Sequence, residues 1–387
     1  MIYFLSHPIQ YFSPLLKELA KKTDLEVCYF SDVSLKLNKD AGFGTAIKWD
    51  IPLLEGYQSE FLKNWRSSGP LTNSFFDVFN PSVITKLWKT KHKIVVVNGW
   101  SYSSNWLVFI FGKLFGKKIW MRAENPLNQE LRKSSKVLLI KKILLKHFLF
   151  RFFIDKFLYI GSQNKAFYKY YGVKDEDRFI FTPYAVDNAS FREEAKRLHP
   201  LKASLKEELK IAPDKKIILY SGKYIEKKRP IDLLKAFNQI ENQDYLLIFM
   251  GEGELRPEME QYIRDNKLSN VLLSGFVNQS QISKYYAIAD VFVMCSGMGE
   301  TWGLSVNEAM NFGLPVLVSS TCGSSYDLVR EGVNGYVFKE GNIVEMAEKL
   351  SNILRSDDNI RKMGEASIEI INRFSIDVIV DNISMHQ

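Results

Sequence analysis

The chain has 387 residues, of which 46% are hydrophobic and 25% are charged. That length fits two domains better than one core, and the composition excludes a disordered or fibrous protein. Three dispersed cysteines, Cys28, Cys295 and Cys322, exclude a disulfide framework and favour a reducing compartment. The net charge of +8 comes from the segment 112–156, which has twelve Lys and Arg against three Asp and Glu.

Short, β-rich apolar runs alternate with helical patterns along both halves of the chain. The runs are continuously apolar, which is typical of strands covered by helices on both faces. This alternation predicts an α/β fold with two Rossmann-like domains, each an open, doubly wound parallel sheet. The expected strands are Ile2–Leu5, Leu25–Phe30, Ile94–Val97, Lys118–Met121, Phe157–Ile160, Phe179–Thr182, Ile217–Ser221, Tyr245–Met250, Val271–Ser274, Val291–Met294, Pro315–Val318 and Gly335–Phe338.

A polar stretch from about Asp187 to Asp214 separates the two series of strands. We therefore predict an N-terminal domain over 1–195, a C-terminal domain over 196–374, and a last segment, 375–387, that packs back on the N-terminal domain. Residues 36–80 fit the alternation poorly and are interpreted as a partly extended insertion. The start MIYFLSHPIQ lacks the pattern of a signal peptide, and no apolar run has the roughly 18 residues of a membrane span, so we expect a cytoplasmic protein.

The strongest candidate site lies between the strands expected at 291–294 and 315–318. Glu300 falls in the loop after the first of them, and a helix is expected from Leu304 to Phe312, closed by Gly313. The start of such a helix presents free N–H groups, a ready site for a phosphate. Glu308, one turn further on, suits the vicinal hydroxyls of a sugar. The alternative is that both acids merely occupy favourable places at the start of a helix.

A basic turn follows the strand expected at 217–221. Its residues Lys223, Lys227, Lys228 and Arg229 lie immediately before a helix that begins at Pro230. Cations are unfavourable at the N-terminus of a helix, so their placement is easier to understand if an anion binds there. A solvated basic loop is the alternative interpretation.

These segments resemble retaining glycosyltransferase family 4, which has the GT-B fold and includes enzymes of bacterial polysaccharide and lipid-linked glycan synthesis. Glu300 and Glu308 reproduce the family's E-x7-E spacing within ETWGLSVNEAM, and GLPV at 313–316 matches its G-x-P-V. Lys223 stands where the family has Arg, and Asn307 where it has an apolar residue. The loop 324–327 departs from the family's G-x-P-E, which bears on the identity of the sugar. The resemblance covers about 180–375.

The resemblance implies a role for each matching residue. Lys223 and Lys228 would bind the donor diphosphate and offset charge on the leaving nucleotide, and Glu308 would bind the ribose. Glu300 would contact hydroxyls of the transferred sugar, so that Glu300, Lys228 and Lys223 are the candidate catalytic residues. No metal or other cofactor is implied, since the nucleotide sugar is a substrate. The remaining donor-binding candidates are Gly222, Phe276, Val277, Gly303, Leu304 and Ser305.

The first half offers weaker candidates for an acceptor or sugar site. His7 and Gln10 follow the first expected strand, in a segment similar to part of the same family. Trp100, Arg122 and Glu124 follow the third and fourth expected strands, where loops face a ligand cleft in such folds. Two structural alternatives stay open: His7 capping the first turn, and an ion pair between Arg122 and Glu124.

The basic segment 112–156 is also rich in apolar residues. Ile140, Leu144, Leu145, Phe148 and Phe152 recur at helical spacing among lysines, which favours peripheral contact with an anionic membrane at its inner face. Ordinary packing of a core-facing helix is the alternative. No recognition motif for nucleic acid accompanies the charge, and Asp175 and Asp177 lie in a charged turn that does not suit a metal site.

Taken together, these features predict a hexosyltransferase. It would move a sugar from a nucleotide-diphosphate sugar, UDP- rather than GDP-linked, to a glycan or polyprenyl-diphosphate-linked acceptor in cell-surface polysaccharide synthesis. The alternative is a catalytically silent GT-B-fold subunit that binds a glycan or a partner.

Overall fold

The computed structural model describes residues 1–35, 52–66, 71–72, 74–240 and 243–387. Its strands are β1 Ile2–Leu5, β2 Glu26–Tyr29, β3 Gln58–Phe61, β4 Ile94–Asn98, β5 Lys118–Arg122, β6 Lys156–Tyr159, β7 Phe179–Phe181, β8 Lys216–Ser221, β9 Tyr245–Met250, β10 Val271–Gly275, β11 Val291–Met294, β12 Val316–Ser319 and β13 Gly335–Phe338.

The helices are α1 Ser13–Lys22, α2 Ser82–Lys89, α3 Ser103–Leu114, α4 Leu127–Glu130, α5 Ser135–Lys142, α6 Phe150–Phe152, α7 Ser162–Tyr170, α8 Asn188–Leu198, α9 Lys202–Glu208, α10 Pro230–Asn238, α11 Arg256–Asp265, α12 Gln279–Ile288, α13 Leu304–Asn311, α14 Ser325–Leu328, α15 Ile343–Leu354, α16 Asp357–Ile371 and α17 Ile376–Met385. A π-helical segment, Ile143–Leu149, joins α5 to α6, and single 3-10 turns lie at Val33–Leu35, Glu176–Arg178, His199–Leu201 and Glu226–Lys228.

The first compact unit contains the described residues of 1–35, 52–184 and 376–387. Its seven-stranded parallel sheet has the order β3-β2-β1-β4-β5-β6-β7. The chain therefore leaves β1 in one direction towards β2 and later returns to the other side of β1 with β4. Side chains of both faces of β1 are buried, because helices cover the sheet on both sides.

The second compact unit contains residues 185–375, with the two residues 241 and 242 outside the described part. Its six-stranded parallel sheet has the order β10-β9-β8-β11-β12-β13. Strands β8 and β11 are neighbours, and the chain leaves them in opposite directions along the sheet. Doubly wound sheets bind ligands at the carboxyl ends of such a strand pair. These two parallel sheets confirm the expected α/β fold with two Rossmann-like domains.

The sequence did not predict strand β3. Its four residues, Gln58–Phe61, are mostly exposed and polar, because the strand forms the edge of the first sheet and pairs only with β2. The expected insertion at 36–80 contains this strand, and its residues 36–51 lie outside the described part of the chain. An edge strand lacks the continuous apolar pattern that identified the others.

The unit boundary lies between residues 184 and 185, earlier in the chain than the expected position after residue 195. Helix α8 belongs to the second unit, where Asn188 donates hydrogen bonds to the carbonyls of Ile371 and Phe374. Helix α17 belongs to the first unit, where it packs on α1 and Asn382 donates to the carbonyl of Phe181 at 2.8 Å. The chain thus returns to the first unit at its end.

The apolar residues expected to share one face around 140–152 differ in exposure. Leu145 is buried, whereas Ile140, Phe148 and Phe152 are exposed. The π-helical turns of 143–149 change the angular step between residues, so the α-helical spacing does not apply there. Within the described residues, no helix has both the length and the apolarity that a bilayer crossing requires.

Candidate functional site

A basic turn follows β8 and leads into α10. It carries Lys223, Lys227 and Lys228, and Arg229 ends it in the left-handed conformation, with φ +51°. The carbonyls of Lys228 and Arg229 accept hydrogen bonds from Sγ of Cys295, at 3.3 and 3.2 Å. Because Cys295 directly follows β11, these bonds hold the basic turn against the end of the neighbouring strand.

Glu300 lies in the loop between β11 and α13 and is 8% exposed. Nζ of Lys228 donates a hydrogen bond to Oε2 of Glu300, and the two side chains form a largely buried ion pair. Burial raises the pKa of Glu300, but the charges of Lys228 and Lys227 outweigh it and hold that pKa below its usual value. Glu300 is therefore ionised at neutral pH.

The three lysines of the basic turn share one electrostatic environment. Burial lowers the pKa of Lys227, Glu300 opposes that shift, and the charges of Lys228 and Lys223 add to it. Like charges held this close repel one another, and one of these lysines, Lys228, is paired with the carboxylate of Glu300. A bound anion would relieve this repulsion.

The start of α13 faces the same end of the sheet. Gly303 precedes the helix with φ +92°, a conformation that glycine adopts without strain. Among the described residues, Val306 is the first in this turn whose N–H has a backbone acceptor, the carbonyl of Gly303 at 3.0 Å. Leu304 and Ser305 are partly exposed at the helix start, where the peptide dipoles favour a negative group.

The Glu300 loop is fixed from two sides. Nε1 of Trp302 donates to Oδ1 of Asn307 at 2.8 Å, which explains a polar residue at a position where the family has an apolar one. The N–H of Gly323 donates to the carbonyl of Glu300 at 3.3 Å. A Cβ at Gly323 would lie 1.9 Å from the carbonyl oxygen of Thr301, so only glycine permits this contact.

Glu308 lies on α13 in a different environment. It accepts a hydrogen bond from the hydroxyl of Tyr286 at 2.7 Å. Burial raises the pKa of Glu308 to about 7, although hydrogen bonds from Tyr286 and Gln279 act in the opposite direction. Tyr286 also hydrogen-bonds Ser221, the last residue of β8, so this tyrosine links Glu308 to the start of the basic turn.

The structure therefore brings most of the predicted donor residues to one edge of the second sheet. The basic turn leaves β8, the Glu300 loop leaves β11, and these strands are neighbours at the position where the strand order reverses. Three lysines and a helix N-terminus can bind phosphate groups, and two carboxylates of different pKa can accept hydrogen bonds from hydroxyls. Both kinds of group occur in a sugar diphosphate, which carries phosphates and hydroxyls.

The segment predicted to contact the base follows β10, further along the same edge. Phe276 is exposed and Val277 is partly buried, after Gly275 with φ +78°. Between this segment and the basic turn lies a turn that sequence reasoning missed, at Gly251–Gly253. A Cβ at Gly251 would lie 1.9 Å from the carbonyl oxygen of Gly222, so the two backbones are in close contact. The signal was present in the sequence as a G-x-G directly after β9.

Sequence reasoning assigned no role to Tyr286 or Cys295, both of which the structure places against this site. Tyr286 connects two functional segments, and Cys295 anchors the basic turn. Neither residue belongs to a recognisable motif. Their roles arise from the neighbouring positions of β8 and β11, which the order of residues along the chain does not reveal.

The first unit holds the acceptor candidates at the carboxyl ends of its strands. His7 follows β1, and its Nδ1 lies 3.0 Å from Oγ of Ser6, while burial lowers the pKa of the imidazole. Gln10 is partly buried in the same loop. Trp100 follows β4, and Nζ of Lys141 lies 5.3 Å from the centre of its ring. The contact of His7 with Ser6 joins adjacent side chains and is not a helix cap, so the role of His7 stays a prediction.

Arg122, the last residue of β5, is 2% exposed. Its guanidinium lies over the rings of Phe12 and Tyr184, at 4.8 and 5.1 Å from their centres. Burial acts against its charge, but Tyr3, Tyr184 and Glu124 outweigh burial and raise the pKa of Arg122 above its usual value. Nε of Arg122 and Oε1 of Glu124 are buried without hydrogen-bond partners among the described residues, so these two atoms do not form the ion pair that was the structural alternative.

Within the described parts of the chain, no three His, Cys, Asp or Glu side chains are grouped so that they could hold a metal ion. Asp175 caps a 3-10 turn through a hydrogen bond from the N–H of Asp177, at 3.0 Å. This local contact explains the spacing of the two acids. The expectation that the protein needs no metal stays a prediction.

The chain's second unit matches the family model "Glycosyl transferases group 1" over residues 202–370. Among curated proteins, it is 29% identical over 171 residues to spore coat protein SA of Bacillus subtilis, covering 40% of this chain and 43% of that protein. It is 27% identical over 207 residues to alpha-monoglucosyldiacylglycerol synthase of Acholeplasma laidlawii, covering 51% of this chain and 50% of that protein. The chain thus spans half or less of the length of these relatives.

Among solved structures, the chain is similar to HepE of Anabaena in complex with UDP. The TM-score is 0.75 at 17% identity, and the match covers 100% of this chain and 98% of that one. This likeness extends over the whole chain and shows that the fold is GT-B. The sequence matches in the second unit support a glycosyltransferase of that fold class.

Proposed function

We propose that the protein is a retaining glycosyltransferase of family 4. It transfers a hexose-type sugar from a nucleotide-diphosphate sugar, UDP- rather than GDP-linked, to a glycan or lipid-linked acceptor in cell-surface polysaccharide synthesis. The observation that carries this proposal is the buried Lys228–Glu300 ion pair beside Lys227 and the start of α13. The match to the group 1 glycosyl transferases supports the reaction class, and the UDP in the Anabaena structure supports the choice of nucleotide.

In this proposal each charged group of the second unit binds a different part of the donor. Lys223 and Lys228 bind the diphosphate and offset the charge that develops as the nucleotide leaves, while N–H groups at Leu304 and Ser305 contact the distal phosphate. Glu300 accepts hydrogen bonds from hydroxyls of the transferred sugar, and Glu308 accepts them from the ribose. Phe276 and Val277 frame the base. No step requires a metal, because lysines and helix dipoles supply the positive charge.

The donor site can be tested by calorimetry with UDP and GDP. We expect UDP to bind the wild-type chain and Lys228→Ala to weaken this binding at least about a hundredfold, since a charged contact to phosphate is lost. Lys235→Ala is the matched control, because Lys235 is exposed on α10 and outside the site. Unchanged UDP binding in Lys228→Ala would contradict the site. A chain that binds neither nucleotide would instead be the silent glycan-binding or partner subunit.

We also propose that the first unit contacts an anionic membrane through the segment 112–156. Helix α5 has no buried residue, and Ile140, Ile143 and Phe152 are 65%, 58% and 57% exposed. Phe148 stacks on Trp106 of α3, whose next two turns expose Ile110 and Leu114, so the apolar surface continues onto a second helix. Basic residues, including Lys136, Lys142 and Arg151, lie in the same segment.

A segment with exposed apolar side chains and many cations suits the interface of an anionic bilayer, where the apolar groups enter the boundary and the cations meet lipid headgroups. The name of the Acholeplasma relative, which refers to a glycosylated diacylglycerol, supports a lipid acceptor for this chain. The enzyme would then be peripheral at the inner face of the cell membrane.

Cosedimentation with vesicles tests this surface. We expect binding to phosphatidylglycerol vesicles, weaker binding to phosphatidylcholine vesicles, and loss of most binding in the double variant Ile140→Glu, Ile143→Glu. Val344→Glu is the control, because Val344 is an equally exposed apolar residue on α15 of the second unit. If the double variant binds as well as wild type, the surface does not contact lipid.

A further inference from the structure

The carboxyl ends of β4 and β5 carry buried polar atoms that the fold leaves unsatisfied. Nε of Arg122, Oε1 of Glu124 and Oδ1 of Asn98 are all buried, and none has a hydrogen-bond partner among the described residues. Asn98 and Arg122 are direct partners in the parallel register of these strands. The set therefore offers one N–H donor and two oxygen acceptors at one end of the first sheet. Such atoms are costly to bury unless a ligand or water completes their hydrogen bonds.

Aromatic side chains, not a countercharge in direct contact, surround the guanidinium of Arg122. The rings of Phe12 and Tyr184 lie beneath it, and the hydroxyls of Tyr11 and Tyr184 are 3.4 Å apart. Tyr184 also hydrogen-bonds the carboxylate of Glu124. Tyr184 thus contacts both charged residues and holds them in fixed positions. A rigid frame of this kind is typical of a binding site whose geometry is formed in advance.

We propose that Arg122 and Glu124 bind an uncharged, hydroxyl-bearing sugar residue of the acceptor. A single hydroxyl can accept a hydrogen bond from Nε–H of Arg122 and donate one to Oε1 of Glu124, because hydroxyls are both donors and acceptors. Asn98 supplies a further acceptor for a neighbouring hydroxyl. The inference rests on the proposed function, since it names the chemistry of the acceptor in that reaction.

The charge of the site argues against other ligands. A phosphate or carboxylate would be repelled by Glu124 and would find an acceptor, not a donor, at Oδ1 of Asn98. An amine would be repelled by Arg122. A sugar that lacks the matching hydroxyl would leave both atoms unpaired, which is how buried polar groups discriminate strongly between related substrates. The site therefore selects the glycan end of an acceptor over its phosphate end.

The test measures saturation transfer by NMR from the full chain to methyl glycosides of glucose, galactose and N-acetylglucosamine, in the presence of excess UDP. We expect at least one glycoside to bind the wild type, and inorganic phosphate not to compete. Glu124→Gln should reduce the signal about tenfold or more, because it replaces a carboxylate acceptor with an amide. Glu55→Gln, an exposed site in the same unit, is the matched control and should bind as wild type does.

Three outcomes would overturn the inference: no glycoside binds, phosphate competes, or Glu124→Gln retains the signal. Glu124→Gln keeps the size of the side chain, and a thermal unfolding curve verifies that the variant is native. Calorimetry with UDP separates this inference from the proposed function. Unaltered UDP binding by Glu124→Gln is expected, whereas Lys228→Ala should lose UDP and keep the glycoside signal.

Discussion

Two carboxylates of the second unit, eight residues apart in the chain, lie in opposite electrostatic environments. Glu300 is paired with Lys228 and influenced by Lys227, and its pKa is lowered. Glu308 accepts hydrogen bonds from Tyr286 and Gln279, and burial raises its pKa to about 7. Burial acts in the same direction on both, so the neighbouring charges alone account for the difference.

In the proposed donor site, this difference gives the two carboxylates separate tasks. Glu300 stays ionised at any pH near neutrality and holds Lys228, which we propose binds the diphosphate. Glu308 changes its charge near neutrality, so its ability to accept hydrogen bonds from two hydroxyls depends on pH. Sites that hold pairs of titratable groups with divergent pKa values are frequently functional.

The largest expected effect comes from breaking the Glu300 pair. Lys228→Met should lower the free energy of unfolding by about 3 kcal/mol, because it leaves the buried carboxylate of Glu300 without its main partner. Adding Glu300→Gln should restore most of that loss, since the unpaired charge is then removed. Urea unfolding of both single variants and the double variant measures this coupling. If the two single variants' changes in the free energy of unfolding add up to that of the double variant, Lys228 and Glu300 are not coupled. The lowered pKa of Glu300 would then need another cause.

Several of these features were accessible from the sequence alone. The strands β1, β9, β11 and β13 lie at the expected residues, because each is a short apolar run between helical patterns. Lys228, Glu300 and Glu308 were identified from motif spacing and from their places after strands.

What the sequence could not provide depends on which strands become neighbours. Lys228 and Glu300 meet because β8 pairs with β11, although two other strands, β9 and β10, come between them in the sequence. The environment of Arg122 includes Tyr184, which follows β7 and is brought to Arg122 only by the folded sheet. Strand β3 was missed because it is a polar edge strand, and the π-helical turns at 143–149 have no sequence signal that we recognised.

A smaller effect is expected from the titration of Glu308. Below pH 7 this carboxyl is largely protonated, and ribose binding favours the ionised form, so affinity for UDP should rise with pH up to about tenfold per unit and level off above pH 7. The contribution to folding has the opposite sign. Because the folded pKa lies above the ordinary value of 4.5, the stability that Glu308 contributes is fully present below pH 4.5 and is lost as pH rises to about 7.

Calorimetry between pH 6 and 8 measures this effect, with Glu308→Gln as the matched variant. The terminal phosphate of UDP also titrates near pH 6, so the difference between wild type and variant is the relevant quantity. We expect Glu308→Gln to lack the part of the pH dependence that belongs to the protein. Parallel pH profiles for the two proteins would show that Glu308 does not contact the nucleotide.

The smallest effect concerns Arg229, which sets the direction of the basic turn towards Glu300. Its φ of +51° is costly for a residue with a side chain, by roughly 1 kcal/mol, whereas its ion pair with Asp232 at 2.6 Å is partly exposed and contributes up to about 1 kcal/mol. Arg229→Gly removes both terms, so the free energy of unfolding should change by less than about 1 kcal/mol and UDP affinity should stay within about threefold. Arg229→Val keeps the strain and loses the pair, and its β-branched side chain is poorly suited to this conformation. It should therefore be the less stable of the two in urea unfolding, and the reverse order would show that the positive φ at this position carries no strain.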